Sequence, residues 1–446
     1  SREEVNENAT LTNSNRPPNF KPLQYQEDAV INAKRIINKH KGVFISDVVG
    51  LGKTYMGTML CQELGGKTLV IAPPNLIDET NPGSWRKAFE EFNFSLKDCR
   101  FRSKGVLDQI AEKGEFKGYD NIIIDEAHTY RNESTETYGH LSRICKDKRV
   151  ILITATPYNN KLDDLLAQIK LFQGLTNSTI PNLPNIANFF RELNLNLKGL
   201  SYKEDPNEYS KVTEQNAKLA RIKLLKHIMV RRTRNEIQDS YSDDLIKQNI
   251  IFPDVLAPIP IYCEFDSNEN KVFVNTIELL KSFKYARYRP INYLKKVNHL
   301  KAEKNRENQI SAFMKILLVK RLESSFWAFK KTIDRFIEYY ESFIKQYYSG
   351  QIIVSKENYE KIKQYISDGN LDEVKKLIED GKGELYKSVD FNDKFIDDLM
   401  EDREKIIQIK NDWQSIKTDS KLTQFKKKLK EDKNLKNNKK IIFTES

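Results

Sequence analysis

The chain has 446 residues, 39% of them hydrophobic and 31% charged, and its formal net charge is +11. This length gives room for two or three domains, and no apolar stretch approaches the length of a membrane span. The cysteines and histidines lack the spacings of disulfides or zinc ligands, which favours a reduced, cytoplasmic compartment. The basic surplus favours a polyanionic partner, nucleic acid first, although lysines on long helices are often only solvated.

The first half of the chain alternates between helix and strand signals. Residues 1–18 are polar and rich in turn formers, with no secretory signal, and predict a disordered leader. Apolar residues at helical spacing predict helices over 24–39 and 53–64. Almost wholly apolar runs predict strands at 42–46, 67–73, 119–125 and 149–154. Such runs are typical of strands covered on both faces, and their alternation with helices predicts a parallel α/β sheet.

The second half has a different pattern. Segments 185–196 and 208–236 are predicted to be helical, and a short β-strand region is predicted at 250–263. From 268 to 438 the chain is rich in lysine and glutamate, has helical periodicity and contains few glycines or prolines, which predicts a multi-helix region. The segment "KKIIFTES" at 439–446 predicts one more buried strand.

The stretch "DVVGLGKT" at 47–54 has the residues of a phosphate-binding loop. Gly50 and Gly52 allow successive backbone N–H groups to face inward, and the following helix directs its positive dipole end to the same place. Lys53 can reach the β- and γ-phosphates, and the Thr54 hydroxyl can ligate Mg²⁺. The general pattern begins with glycine, whereas this chain has Asp47. The alternative is an ordinary glycine-rich turn between a strand and a helix.

Two further stretches follow predicted strands in the order that phosphate-loop ATPases use. In "IIIDEAH" at 122–128, Asp125 can hold Mg²⁺, directly or through water, and Glu126 can orient and deprotonate an attacking water. The alternative is a solvated acidic turn. The small residues of "LITATP" at 152–157 suit a hinge that senses the γ-phosphate, or a plain close-packed turn.

The order of these motifs carries a family resemblance. The series "LQYQ", "DVVGLGKT", "TLVIAPPNLI", "IIIDEAH" and "LITATP" resembles helicase superfamily two. It is similar, more narrowly, to the Swi/Snf-type DNA-translocating ATPases, in a DEAH-box, bacterial-like branch. Members of that group carry aspartate where other phosphate loops carry the first glycine, as at Asp47. Further segments resemble the same family: "PGSWRKAFEEF" (82–92), "ATPYNNKLDDLLAQIKLF" (155–172), "HIMVRRTRNEI" (227–237) and "IIFTES" (441–446).

The resemblance implies ATP and Mg²⁺ as cofactors and assigns roles to individual residues. Gln26 is expected to contact the adenine edge, with Tyr25 or a neighbour stacking near the base, although Gln26 could also be a plain surface residue. Arg231 and Arg232 resemble the arginine pair that closes the first lobe, and could also be a solvated helix face. The catalytic residues implied are Lys53, Asp125 and Glu126; the metal ligands are Thr54 and Asp125; the nucleotide-binding residues are Gln26, Val49, Gly50, Leu51, Gly52, Lys53, Thr54 and Tyr55.

The implied fold is a RecA-like parallel sheet with a large, mostly helical protrusion. The domain prediction is a leader at 1–18, a first RecA-like lobe at 19–265 with a helical insertion around 173–225, a helical region at 266–438, and the first strand of a second lobe at 439–446. In the family the second lobe supplies arginines across the ATP cleft. The chain begins at Ser1 and ends at that strand, so we expect a piece of a longer protein that binds ATP and turns it over slowly.

Three hypotheses for function follow. The first is the motor portion of an ATP-dependent translocase on duplex DNA, with no membrane partner and with a second lobe and other domains missing. The second is a strand-separating DNA or RNA helicase. The third is a nucleotide-gated nucleic-acid-binding module without turnover. Exposed basic residues between 200 and 340 could contact DNA phosphates or could simply be solvated.

Overall fold

The computed structural model describes residues 11–12, 16–17, 20–21, 23–133, 135–157, 162–202, 204–295, 301–355, 383–436 and 438–443. The chain divides into two compact units, Ser1–Val255 and Leu256–Ser446. The sequence predicts the boundary somewhat later, after residue 265.

The first unit is built on six strands, all paired in parallel. The order across the sheet is β3-β2-β4-β5-β1-β6, so β5 separates β1 from β4. Because every strand runs the same way, the carboxyl ends of β1, β4 and β5 lie at one edge. The strands are β1 Gly42–Ile45, β2 Thr68–Ile71, β3 Cys99–Arg102, β4 Asn121–Asp125, β5 Arg149–Ile153 and β6 Met229–Val230.

Successive residues of the inner strands contribute to two different hydrophobic cores, one on each face of the sheet. In β4, Ile122 and Ile124 belong to one core and Ile123 to the other. In β5, Leu152 packs on the first side and Ile153 on the second. This two-sided burial is the reason that the strands read as continuous apolar runs. The predicted fold class, a RecA-like parallel α/β sheet with a large helical region, is confirmed.

Helices connect these strands. The predicted helix over 53–64 is found at those bounds, and the one over 24–39 extends one residue further. The helices of this unit are α1 Gln24–His40, α2 Lys53–Leu64, α3 Pro74–Ile77, α4 Trp85–Glu91, α5 Leu107–Lys113, α6 Glu136–Cys145, α7 Leu162–Ile169, α8 Ile186–Asn196, α9 Pro206–Ala220, α10 Lys226–Ile228, α11 Arg234–Ser240 and α12 Ser242–Lys247. A π-helical turn, Arg221–Leu225, joins α9 to α10.

Two strands of the sheet were not predicted. The edge strand β3 alternates buried Cys99 with exposed Arg100, so it lacks the continuous apolar run of a central strand. The strand β6 has only two residues and lies within 208–236, which the sequence predicts to be helical throughout. Helical structure in that segment stops at Ile228, because Met229 and Val230 pair with the other side of β1, and it resumes only at Arg234. The prediction of uninterrupted helix is therefore wrong there.

The β-strand region predicted at 250–263 is also wrong. This segment belongs to no helix or strand, and Ile251, Val255 and Ile259 along it are largely exposed. The prolines of "IIFPDVLAPIPIYC" have no backbone N–H to donate, so the segment cannot form a regular ladder. Its β-branched residues produced the strand signal without a partner strand to pair with.

The second unit is mainly helical, as the sequence predicts. A short antiparallel pair, β7 Gln351–Ser355 and β8 Gly383–Lys387, was not predicted. The stretch "NLDEVKKLIED", which belongs to the predicted multi-helix region, and most of the leader at 1–18 lie outside the described residues. The helices are α13 Ser267–Ser282, α14 Lys301–Ser324, α15 Phe326–Tyr348, α16 Lys394–Gln414, α17 Ser420–Glu431 and α18 Lys433–Lys436.

An aromatic cluster with buried polar anchors forms the core of the second unit. The Trp413 ring lies 4.7 Å from the Phe326 ring, and its indole N–H donates to Thr276 Oγ1 at 2.8 Å. The Asp402 carboxylate is fully buried and accepts the backbone N–H groups of Lys284 at 2.7 Å and Ala286 at 2.8 Å. These bonds offset part of the cost of burying a charge.

The strand predicted at 439–446 is not formed in its described part. Ile441, Ile442 and Phe443 belong to no strand, and all three are exposed. Residues 444–446 lie outside the described part. None of the described helices is long and apolar enough to cross a membrane.

A buried glutamate makes the stability of the second unit depend on pH. Burial raises the pKa of Glu307 in α14 to about 8, although its oxygens accept from Ile291 N and Asn292 Nδ2, both at 3.1 Å. The folded state thus keeps a proton that the unfolded chain loses near pH 4.5. Stability should fall as pH rises through this window, by about 1.4 kcal/mol per unit.

Replacing Glu307 by glutamine, which stays neutral, should flatten this dependence between pH 6 and 8. Burial also raises the pKa of Asp402, to about 6. Below that pH, Asp402 and Glu307 both contribute to the pH dependence of stability. Urea denaturation followed by circular dichroism at several pH values measures the slope. Glu323→Gln, an exposed change on the same helix, should keep the wild-type slope. A Glu307→Gln variant with the wild-type slope would contradict the assignment.

Candidate nucleotide-binding site

The loop between β1 and α2 has the backbone shape of a phosphate cradle. Gly50 and Gly52 adopt φ values of +87° and +83°, in the left-handed region that favours glycine. A Cβ at Gly52 would also overlap the Gln26 side chain. Leu51 between them is buried, whereas the Val49 side chain is mostly exposed. The two glycines therefore allow a tight turn before α2, and Val49 lies at the outer surface of the loop.

Lys53 begins α2 at the carboxyl edge of the sheet. Its Nζ donates to the Asp47 carbonyl oxygen at 2.9 Å, across the mouth of the loop. Burial lowers the pKa of Lys53, and the nearby carboxylates of Asp47, Asp125 and Glu126 oppose that shift. The structure thus brings the predicted lysine and the two predicted acidic residues within electrostatic reach of one another.

Asp47, which stands where the general pattern has glycine, forms a buried ion pair. Its carboxylate is fully buried, with Oδ2 2.5 Å from an Arg232 guanidinium nitrogen whose side chain is 16% exposed. Its Oδ1 accepts the backbone N–H of Arg232 at 2.8 Å. A carboxylate in this position therefore fixes the end of β6 against the phosphate loop.

Further bonds fix the same junction. Ser46 N donates to Val230 O at 2.8 Å, and Ser46 Oγ donates to Thr154 O at 2.8 Å. The start of the loop is thus held between the ends of β6 and β5. Of the two arginines in the sequence motif, only Arg232 takes part, and Arg231 is exposed.

Tyr25 and Gln26 contact the other side of the loop. Tyr25 OH and Gln26 Nε2 both donate to Leu51 O, at 3.2 and 3.1 Å. Gln26 Oε1 is buried without a hydrogen-bond partner, so an acceptor remains available beside the loop. The Tyr25 ring is buried under the Arg232 guanidinium, 5.4 Å from its centroid. The Arg232 guanidinium therefore covers this ring, and the expectation that Tyr25 or a neighbour stacks near the base stays a prediction.

The remaining predicted loop residues lie at the start of α2. Tyr55 donates its hydroxyl to Glu91 Oε2 at 3.0 Å, and its ring lies 5.6 Å from Phe92. Burial, followed by this bond to Glu91, raises the pKa of Tyr55. Tyr55 is therefore directed toward α4 and its neighbours, whereas Thr54 stays next to Lys53 in the first turn of α2.

Asp125 lies at the carboxyl end of β4. Its Oδ2 accepts the indole N–H of Trp85 at 2.8 Å, and its Oδ1 accepts the backbone N–H of Glu126 at 2.8 Å. Burial raises the pKa of Asp125, and the bond from Trp85 opposes that shift. A carboxylate oxygen and a threonine hydroxyl are both hard oxygen donors of the kind that Mg²⁺ prefers. Asp125 and Thr54 therefore fit the predicted metal ligands in chemistry.

Glu126 and His128 connect the acidic motif to the end of β5. Glu126 has a φ of +50°, which is unusual for a residue other than glycine. His128 Nδ1 lies 3.2 Å from Glu126 Oε2 and 3.1 Å from Thr154 Oγ1. The hydrogen bond from His128 lowers the pKa of Glu126. The motifs "IIIDEAH" and "LITATP" thus meet through one imidazole nitrogen.

Arg234 is a residue of this site that the sequence motifs did not single out. Its guanidinium donates to Val49 O at 3.2 Å and lies beside Gly50. Its Nε is buried without a hydrogen-bond partner. The available signal was its place two residues beyond Arg232, which is on the chain that leaves β6 next to the loop.

Comparisons with known proteins agree with these motifs. Residues 105–324 match the SNF2-related domain. Residues 19–159 match the res subunit of type III restriction enzymes. The matches support the resemblance to Swi/Snf-type ATPases of superfamily two. They cover the phosphate loop, the acidic motif and α11 between them.

Individual relatives are distant. "Uncharacterized ATP-dependent helicase YqhH" of Bacillus subtilis is 27% identical over 177 residues, 35% of this chain and 30% of the relative. "DNA repair and recombination protein RAD54-like" of Drosophila willistoni is 25% identical over 273 residues, 52% of this chain and 32% of the relative. The chain spans about a third of the length of each. A solved SWI2/SNF2 ATPase core of Sulfolobus solfataricus, in complex with dsDNA, aligns with a TM-score of 0.36 and 18% identity over 62% of this chain and 56% of that chain.

The buried ion pair gives a prediction that separates two adjacent arginines. Arg232→Ala should leave the Asp47 carboxylate buried without its cation, at a cost of about 3 kcal/mol in the free energy of unfolding. Nucleotide affinity should fall with it, because the loop loses its anchor. Arg231→Ala removes the same charge from an exposed position and should change neither property. Urea denaturation and nucleotide titration of both variants measure the difference, and equal behaviour of the two would contradict the anchoring role.

Proposed function

We propose that this chain is the ATP-binding half of an ATP-dependent motor that moves along duplex DNA, a Swi/Snf-like member of the DEAH-box, bacterial-like branch of superfamily two. The observation that carries the proposal is the meeting of three motifs at one sheet edge. The phosphate loop follows β1, the Asp125–Glu126 pair follows β4, and Thr154 follows β5 between them. This arrangement is the one that phosphate-loop ATPases require.

Each side chain has a role in this proposal. The backbone N–H groups of 50–54 and the Lys53 ammonium bind the phosphates, and Gln26 Oε1 accepts from the adenine amino group. Thr54 and Asp125 would hold Mg²⁺, which would neutralise charge on the phosphate oxygens when bound. Glu126 orients the attacking water and accepts its proton, because the bond from His128 keeps this carboxylate ionised. The same histidine passes a change at Glu126 to Thr154.

DNA as the partner is proposed from charge and kinship. The net charge of +11 favours a polyanion, and the matches to the SNF2-related domain and to a relative named for DNA repair and recombination point to DNA.

A strand-separating DNA or RNA helicase is the second candidate, because the other matched domain and the first relative are of helicase type. In a chain joined to a complete second lobe, duplex-stimulated ATPase activity without strand displacement would favour the translocase. A nucleotide-gated binding module would show neither ATPase activity nor strand displacement.

The phosphate loop is tested by removing its ammonium group. Lys53→Ala should weaken ATP binding at least ten-fold, because a charge-assisted bond in a partly desolvated site contributes about 1.5–3 kcal/mol. Isothermal calorimetry with Mg-ATP measures the change. Lys97→Ala, an exposed lysine of the same unit, should bind as the wild type does. Equal affinity in Lys53→Ala and Lys97→Ala would contradict the phosphate-loop role.

The DNA partner is tested by salt. The chain should bind duplex DNA of unrelated sequences with similar affinity, and that affinity should fall steeply between 50 and 200 mM salt as condensed counterions are released, by about 10³-fold if some six phosphates are contacted. Fluorescence anisotropy with two labelled duplexes measures both properties. A flat salt dependence, or a strong preference for one sequence, would argue against binding through the phosphate backbone.

A further inference from the structure

The indole of Trp85 contacts the site through one hydrogen bond. Its Nε1–H donates to Asp125 Oδ2 at 2.8 Å, and only 1% of Trp85 and 9% of Asp125 is exposed. The second oxygen of the carboxylate accepts the Glu126 N–H at 2.8 Å. Each carboxylate oxygen offers two lone-pair directions. One direction on each oxygen is therefore occupied by a fixed N–H donor, and one remains for a cation or its water.

The local sequence builds this contact from three elements. Trp85 is the first residue of α4, whose N-terminus is capped by the Ser84 side chain accepting from Lys87 N at 3.3 Å. On α2, a Cβ added to Gly57 would stand 2.7 Å from the Trp85 ring and 3.1 Å from Ile153 Cδ1. Glycine inside a helix costs about 1 kcal/mol relative to alanine. Its presence here leaves the space that the indole occupies.

We propose that Trp85 is a positioning residue that fixes the orientation of the Asp125 carboxylate for Mg²⁺, an inference that rests on the proposed function. The indole N–H and the Glu126 N–H bind different oxygens, so together they prevent rotation of the carboxylate about its Cβ–Cγ bond. The metal then meets a preformed ligand instead of one that must be ordered on binding. Gly57 on the phosphate-loop helix is part of the same arrangement, because it admits the ring.

A tryptophan that only filled the core would stabilise the fold without affecting the metal. The two roles differ in the Mg²⁺ dependence of nucleotide binding. We therefore measure the affinity for ATP in Mg²⁺ and in EDTA. The Mg²⁺ ratio is the affinity in Mg²⁺ divided by the affinity in EDTA. Trp85→Phe keeps an aromatic ring but removes the N–H donor. The ratio should fall about ten-fold, as expected for a hydrogen bond to a charged group, while affinity in EDTA stays within about two-fold of wild type.

Trp413→Phe is a matched control from the second unit. Trp413 is equally buried, and its indole also donates a hydrogen bond at 2.8 Å, to Thr276. This variant also loses an indole hydrogen bond, here to a neutral hydroxyl outside the site, so it should keep the wild-type ratio. A ratio in Trp85→Phe equal to that of Trp413→Phe and wild type would overturn the inference.

Two further variants keep the test decisive if Trp85→Phe does not fold. Gly57→Ala should displace the indole and lower the Mg²⁺ ratio, although alanine favours a helix. Benzothienylalanine at position 85 has nearly the shape of tryptophan with sulfur in place of N–H, and should lower the ratio while it keeps the packing of the ring. Wild-type Mg²⁺ ratios in both of these variants would overturn the inference about Trp85 but would not affect the proposed function. Wild-type protein that binds no nucleotide, with or without Mg²⁺, would overturn the proposed function as well.

Discussion

The buried pair between Asp47 and Arg232 is the constraint on which the first unit depends. A carboxylate without solvent exposure is tolerated only with its charge compensated and its oxygens hydrogen-bonded, and Arg232 does both through its guanidinium and its backbone N–H. The same guanidinium bonds to Tyr25 O and lies over the Tyr25 ring. Three segments far apart in sequence, the start of α1, the phosphate loop and the end of β6, are thereby held as one body. The aspartate that makes this loop differ from the general phosphate-loop pattern has a structural reason within the lobe itself.

The parts of the fold that could be predicted are those in which local pattern and tertiary burial agree. The runs at β1, β2, β4 and β5 are apolar because both faces of the sheet are covered, and this burial is visible in the sequence. The strand β6 is different, because two residues cannot carry a pattern and only pairing with β1 defines them. The segment after α12 shows the reverse error: its β-branched residues suit a strand, but its prolines and lack of a partner leave it without regular secondary structure. The local propensity of a segment therefore determines its secondary structure only where long-range strand pairing does not.

The candidate site was predictable in its members and less so in its connections. Motif order identifies Lys53, Asp125 and Glu126, since each follows a strand whose carboxyl end reaches the same edge. The contact of Trp85 with Asp125 spans 40 positions, and nothing local to either residue encodes it. Two signals were nevertheless present in the sequence: a buried aspartate in a glycine position is stabilised by a nearby cation, and a glycine inside a helix leaves room for a close neighbour, as Gly57 does, although Gly139 in α6 has none. The first explains Arg232 and the second Trp85. Both signals indicate that a neighbour exists, but the sheet order is needed to tell which residue it is.

The ion pair also limits which arginine of this lobe can act on a phosphate. Moving Arg232 toward a nucleotide would leave the Asp47 carboxylate buried and unpaired, which is far more costly than any single bond it could form there. Arg231 is exposed. The backbone next to it is fixed by two hydrogen bonds, from Val48 N to Arg232 O and from Arg232 N to Asp47 Oδ1. Arg234 has neither restriction: its one bond to Val49 O lies on the loop itself, and its Nε lacks a partner. Among the three arginines that follow β6, Arg234 is therefore the one that lies beside Gly50 and does not compensate a buried carboxylate.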